Sequence, residues 1–127
     1  MIWLVALGSA IGGVLRYLLS PLFQRGFAEG FPGGTLVVNI LGSFVIGLVL
    51  RTASESTALT PEARVFLTVG VCGGFTTFSA FSAETLRLLQ TDQWSRALIY
   101  ITASVVLSIG AAALGWLGGG MLTRPSA

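Results

Sequence analysis

The sequence predicts an all-α integral membrane protein with four transmembrane helices. Two observations carry that prediction. Of the 127 residues, 54% are hydrophobic and 9% charged, against about a quarter charged in a soluble domain. So few charges cannot cover a water-soluble fold, and the apolar residues need lipid against them. The apolar residues also fall into four stretches. Each is long enough, at 1.5 Å rise per residue, to cross a hydrocarbon core of ~30 Å. Residues 1–127 read as a single four-helix domain, too short for the paired halves that many transporters carry in one chain.

The first stretch runs from about Ile2 to Leu22. No Lys or Arg precedes it and Arg16 interrupts its tail, so a retained helix fits better than a cleaved signal peptide. The second stretch, Gly34 to Leu50, follows a connector from Gln24 to Pro32. The third runs from Ala63 to about Leu89. Its start is marked by Thr60-Pro61-Glu62, an N-cap, a proline at N1 and an acid in the first turn. The fourth, from about Trp94 to Leu117, has Trp94 and Trp116 near its ends, which suits either the two interfacial aromatic belts or ordinary packing. Gly8 and Gly12 form a GxxxG pair, and Gly42, Gly47, Gly110 and Gly115 continue a small-residue theme that lets helices approach closely in lipid.

Several functions are excluded by what is missing. Histidine is absent, and the single Cys72 lies in an apolar run with no basic partner. There is no metal-ligand cluster and no pair of carboxylates, so the chain is not an enzyme. All seven cations are scattered arginines, which gives no basic patch for nucleic acid. Four spans put both termini on one side. Arg51, Arg64 and Arg124 share that side, and Arg25, Arg87 and Arg96 take the other. Orientation normally follows an excess of Lys and Arg on the cytoplasmic face. A tie leaves two readings open: the arginines are uninformative, or the chain inserts both ways. In the second case, opposed copies pair about a two-fold axis in the membrane plane, supplying between chains the inverted repeat of larger transporters.

The third stretch would be ~40 Å long as one helix. Its centre reads Gly73-Gly74-Phe75-Thr76-Thr77-Phe78-Ser79-Ala80-Phe81. Two glycines beside two β-branched threonines weaken a helix. Either this is a break near the bilayer midplane, or it is a glycine-rich packing face. Thr35, Asn39 and Ser43 recur at four-residue spacing on the second helix, as do Tyr100, Ser104 and Ser108 on the fourth. Each set forms a polar track along one face. Such hydroxyls serve either as interhelical glue or as the wall of a polar path, and Asn39 is the costliest of them to hide. The tracks offer donors and no acid; Glu84, beyond the weak point, comes nearest. Arg16 is the only charge well inside a helix. Proton relays and cation carriers use membrane carboxylates, so this chemistry favours an anion. The positive ring edges of Phe78 and Phe81 suit one too.

The chain resembles the Fluc family of fluoride channels. The resemblance rests on Gly12-Gly13-Val14-Leu15-Arg16-Tyr17, on Gly34-Thr35-Leu36-Val37-Val38-Asn39, and on the long run from Gly73 to Ser82. It covers the whole chain in helix count and motif order. One departure is Ala80, where threonine is expected. The resemblance implies an antiparallel, dual-topology homodimer with two fluoride pores in the bacterial cell membrane, giving passive fluoride efflux that protects the cell. It implies that Asn39, Phe78 and Phe81 line the pore. Thr35, Thr77, Ser79, Tyr100, Ser104 and Ser108 would form its polar track, and Arg16 would stand in a vestibule. The carbonyls of Gly73 and Thr76 would hold a structural Na⁺ at the dimer centre.

Two rivals compete with that reading. A small dual-topology exporter of cationic drugs needs a carboxylate in its first helix, where this chain has Arg16. A non-transporting assembly subunit would use the polar tracks as glue and conduct nothing alone.

Overall fold

The computed structural model describes residues 1–124, and every regular element among them is helical. The order is α1 (Ile2–Gln24), α2 (Gly33–Glu55), α3 (Pro61–Val65), a π-helical stretch (Phe66–Cys72), α4 (Gly73–Phe75), α5 (Phe78–Gln90) and α6 (Trp94–Thr123). Four segments are long and apolar enough to span a membrane: Ile2–Gln24, Gly33–Glu55, Pro61–Gln90 and Trp94–Thr123. They contain the four apolar stretches, the second running past its expected end at Leu50 to Glu55, and the protein is multi-pass. The fourth runs beyond the expected end at Leu117 to Thr123. Its late glycines are held in the helix by packing, since Gly119 and Gly120 seat the Arg51 side chain at a distance that a Cβ would fill.

Local signals set the element ends. The Thr60 hydroxyl accepts from the Ala63 N–H at 3.1 Å, with Pro61 next to it, and α3 starts there as its sequence predicts. Gln24 closes the turn between α1 and α2. Its amide nitrogen donates to the Phe31 carbonyl at 2.6 Å, and its oxygen accepts from the Gly34 N–H at 2.9 Å. Gly30 in that turn has φ +87, a conformation that glycine adopts without strain.

The packing is that of a membrane protein. The buried apolar cluster is small: Leu36, Leu88, Ala97 and Tyr100, with Phe31, Ile40, Phe81, Leu89 and Ala103 against it. Many large apolar side chains, among them Trp3, Leu98, Ile109 and Leu122, point outward, where lipid meets them. α2 and α6 make the most extensive helix pair, with Gly47 and Gly115 each seated on the other helix's backbone. α1 lies against the third segment through Gly8 and Gly12. A Cβ at Gly8 would stand 2.7 Å from the Phe66 carbonyl oxygen, and one at Gly12 would stand 2.7 Å from the Phe75 nitrogen. Gly13 and Gly110 meet nothing within 4 Å. Gly110 therefore does not serve packing within the chain.

Trp116 is more than an interfacial ring. Arg51 lies over it at 5.1 Å and is paired with Glu55, which also accepts from the Thr123 hydroxyl at 2.9 Å. This cluster ties the end of α2 to the end of α6.

Candidate functional site

The site is built where α4 gives way to α5. Thr76 (φ −80, ψ 156) and Thr77 (φ −149, ψ 110) are extended between the two helices. Extended residues leave backbone groups without helical partners, and in a membrane protein these need substitutes. Asn39 of α2 supplies them. Its Nδ2 donates to the Thr77 carbonyl at 3.2 Å, and its Oδ1 accepts from the Thr77 N–H at 2.8 Å. Thr77 then caps α5, its hydroxyl accepting from the Ala80 N–H at 3.0 Å. The hydroxyls of Thr77 and Ser79 lie 3.2 Å apart. Arg16 of α1 donates from Nε to the Gly74 carbonyl at 3.3 Å, a cation at the negative end of a helical segment.

A groove of about 360 Å³ opens beside this junction. Asn39 and Ser43 of α2, Thr77, Phe78 and Phe81, and Ser104 and Ser108 of α6 all line it. Its wall holds no acid and no histidine. The rings of Phe78 and Phe81 stand 5.5 Å apart and are tilted to one another; Phe81 lies 5.2 Å from Tyr100. The two differ sharply in setting. Phe78 is 79% exposed, whereas Phe81 packs on the buried cluster. The Ser104 hydroxyl is buried without a hydrogen-bond partner among the described residues. A buried hydroxyl without a partner is costly unless a group outside the protomer satisfies it.

A second groove, of about 490 Å³, is lined by Arg16, Tyr17, Ser20, Thr35, Thr77 and Glu84, among others. Thr77 belongs to both grooves. Glu84 lies past the weak point, on α5, and its side chain reaches both polar tracks. Its Oε1 accepts from the Thr35 hydroxyl at 2.8 Å, and its Oε2 accepts from the Tyr100 hydroxyl at 2.7 Å. A carboxylate thus joins one member of each of the two expected helix faces. Its position holds the clue: it is the one acid of the third stretch past the weak point, three residues after Phe81 along the same helix. Tyr100 is fully buried and lines neither groove. Ser79 lines neither groove either. Of the expected pore residues, then, Asn39, Thr77, Phe78, Phe81, Ser104 and Ser108 share one cleft, and Thr35 lines the next with the expected vestibule residue Arg16; Ser79 and Tyr100 line neither, though the Ser79 hydroxyl neighbours that of Thr77 and the Tyr100 hydroxyl reaches Glu84.

Two backbone carbonyls at the same junction lack their usual helical donors. In a continuous helix the Thr77 N–H would serve the Gly73 carbonyl, but it goes to Asn39. The Ala80 N–H would serve the Thr76 carbonyl, but it goes to the Thr77 hydroxyl. Both oxygens lose their helical donors, and a hard cation is a suitable replacement. Among the described residues there is no group of three or more His, Cys, Asp or Glu side chains able to hold a metal.

Comparisons with known proteins agree on one relationship. Residues 3–116 match the family model described as CrcB-like protein, Camphor Resistance (CrcB). A protein named fluoride-specific ion channel FluC from Thermus thermophilus is 55% identical over 119 residues, covering 94% of each chain. Proteins of the same name from Paramagnetospirillum magneticum and Shewanella halifaxensis are 46% and 47% identical. The first comparison spans 95% of this chain and 96% of its relative, the second 87% and 89%.

Proposed function

This chain belongs to the CrcB-like family, and from that membership together with the cleft at the helix junction we infer that it is a fluoride-selective ion channel of the cell membrane. It is not an enzyme. The observation that carries the reading is the composition of the first groove. Donors from α2, α6 and the Thr76-Thr77 link gather around two phenylalanine rings, with no carboxylate in the wall. Fluoride is the smallest halide and holds its water most tightly, so a path for it must replace that water with close donors. The Ser104 and Ser108 hydroxyls and the second amide N–H of Asn39 suit that task. The physiological role is passive efflux down the fluoride gradient, protecting the cell. The test is fluoride efflux from proteoliposomes holding the purified chain, with chloride as control. Fluoride release without chloride release is expected, and equal release of both, or of neither, contradicts the reading.

We further propose that the third span is broken near the bilayer midplane at Thr76-Thr77, and that two chains pair in antiparallel orientation. Four observations support the pairing: the tie of arginines, the open faces at Gly13 and Gly110, the exposure of Phe78, and the unpartnered Ser104 hydroxyl. Lysines at the exposed Thr57 and Ala58 should fix one orientation and remove most of the flux. Co-expression with a chain biased the other way, by lysines at the α5–α6 turn, should restore it. A single fixed orientation of terminal tags in the unmodified protein would contradict dual topology.

A structural Na⁺ belongs to the same proposal. The Gly73 and Thr76 carbonyls of both copies would hold it, and it would supply positive field near the anion path and offset the negative ends of the helix segments. Replacing Na⁺ by a large organic cation on both sides should lower flux and the melting temperature of the detergent-solubilised dimer. Unchanged melting and flux after exhaustive Na⁺ removal would rule the site out.

A further inference from the structure

We propose that Arg25 and Arg87 form a cationic mouth that draws fluoride into the pathway and sets the rate of entry at low fluoride. The proposal rests on the fluoride-channel reading above and adds two residues to it.

A third groove, of about 480 Å³, lies at the end of the chain where the α1–α2 connector meets α5, and Arg25, Arg87 and Glu29 line it. It shares Pro21 and Glu84 with the groove that holds Arg16. That groove in turn shares Thr77 with the phenylalanine groove. In the proposed path the three clefts follow one another, with Glu84 in the wall of the outer two and Thr77 in the wall of the inner two.

An anion that follows this series must pass the Glu84 carboxylate. The Thr35 and Tyr100 hydroxyls hold that carboxylate in place, but they leave its repulsion acting on anything negative nearby. Cations at the same cleft offset it. Arg87 follows Glu84 by three residues on α5, which sets both on one helix face. Arg25 directly follows the last residue of α1. Both side chains are exposed, and neither guanidinium makes an ion pair or hydrogen bond among the described residues. Arg96, the third arginine at this end, differs: it donates to the Glu29 carbonyl at 3.3 Å and faces the Gln93 side-chain oxygen at 3.4 Å. Its reach is spent on the protein. Two free cations therefore stand against Glu29 and Glu84, with Arg16 one cleft further in.

Charges at a cleft mouth raise the local concentration of the opposite ion and speed its arrival. The effect is screened by salt, because the Debye length shrinks from ~10 Å at 0.1 M to ~3 Å at 1 M. That separates a steering role from a structural one. The experiment measures fluoride flux of the reconstituted full chain at sub-saturating fluoride while an impermeant salt is raised over that range. Flux through the unmodified protein should fall. The Arg25→Gln/Arg87→Gln double variant should carry about three- to tenfold less at low salt and lose most of the salt dependence. It should approach the unmodified protein at saturating fluoride. The Arg25→Lys/Arg87→Lys variant should retain both flux and salt dependence. Unmodified flux and salt dependence in the glutamine variant would overturn the proposal. So would an equal loss at every fluoride concentration with the salt dependence intact. An unmodified chain that carries no fluoride overturns the channel reading itself, which tells that failure apart from failure of the mouth alone.

Discussion

Asn39→Asp is expected to stop fluoride flux, measured per folded and reconstituted protein. Asn39 serves two ends at once. Its oxygen takes the Thr77 N–H and its nitrogen serves the Thr77 carbonyl, which leaves one N–H of the amide for an ion in the groove. Aspartate keeps the acceptor and loses both donors. It sets a carboxylate oxygen against the Thr77 carbonyl and puts a negative charge in the anion's path. A hydrogen bond to a charged group is worth ~1.5–3 kcal/mol, so loss of the donor alone costs roughly ten- to a hundredfold in rate. Repulsion adds to that. Acidification separates electrostatics from damage to the junction. If charge is the cause, flux should partly return as pH falls and the new carboxyl gains a proton, since a protonated carboxyl donates again. Flux near the unmodified level at neutral pH would remove Asn39 from the pathway. A dead channel at every pH, with a lowered melting temperature, would make it a strut for Thr77 only.

Phe78→Ile should cut flux by an order of magnitude or more while the protomer stays folded. The ring is 79% exposed within one chain, so its removal takes little from the core, and isoleucine roughly preserves the bulk. What goes is the positive ring edge. Phe81→Ile should also reduce flux, but with a stability cost, because Phe81 packs on Tyr100 and the buried cluster. Reshaping such a residue costs about 1–3 kcal/mol. The pair therefore forms an internal control. In a pore lined by both rings, flux per folded protein falls in both variants and stability falls in Phe81→Ile alone. If the rings are core and nothing more, Phe81→Ile loses stability, Phe78→Ile loses nothing, and flux per folded protein is normal in both. Near-normal flux in the two variants would end the assignment of these rings to the pathway.

The same contrast marks the limit of spacing as a guide. By spacing, Phe78 and Phe81 are equivalent, three residues apart on one helix. Helical spacing gives the face and not what covers it. It sets Thr35 and Tyr100 on two separate tracks and leaves Glu84 off both, although the three side chains meet. Residue type alone offers the Asn39 amide wholly to an ion, whereas most of it is spent on the backbone of Thr77. At residue 80, where the family resemblance leads one to expect threonine, the side chain has no part in the cap. Thr77 provides it, its hydroxyl receiving the Ala80 N–H, a bond that alanine makes as well as threonine.

Composition and run length are enough to establish a membrane protein with four crossings, because an apolar run of sufficient length has one stable environment and 9% charge leaves no alternative. The local sequence also locates the weakest part of the third crossing, since two glycines and two threonines lower helix stability wherever they fall. Residue types further define which side chains can handle an anion. Packing in three dimensions settles which of those polar groups are used up by the protein and which remain for a ligand. Asn39 finds Thr77 38 residues along the chain, and Thr35 finds Glu84 at a separation of 49. No local pattern encodes such pairings. They arise because each buried donor or acceptor in lipid must find a partner among whatever the neighbouring helices present, and the close contacts made at Gly8, Gly12, Gly47 and Gly115 select which helices those neighbours are.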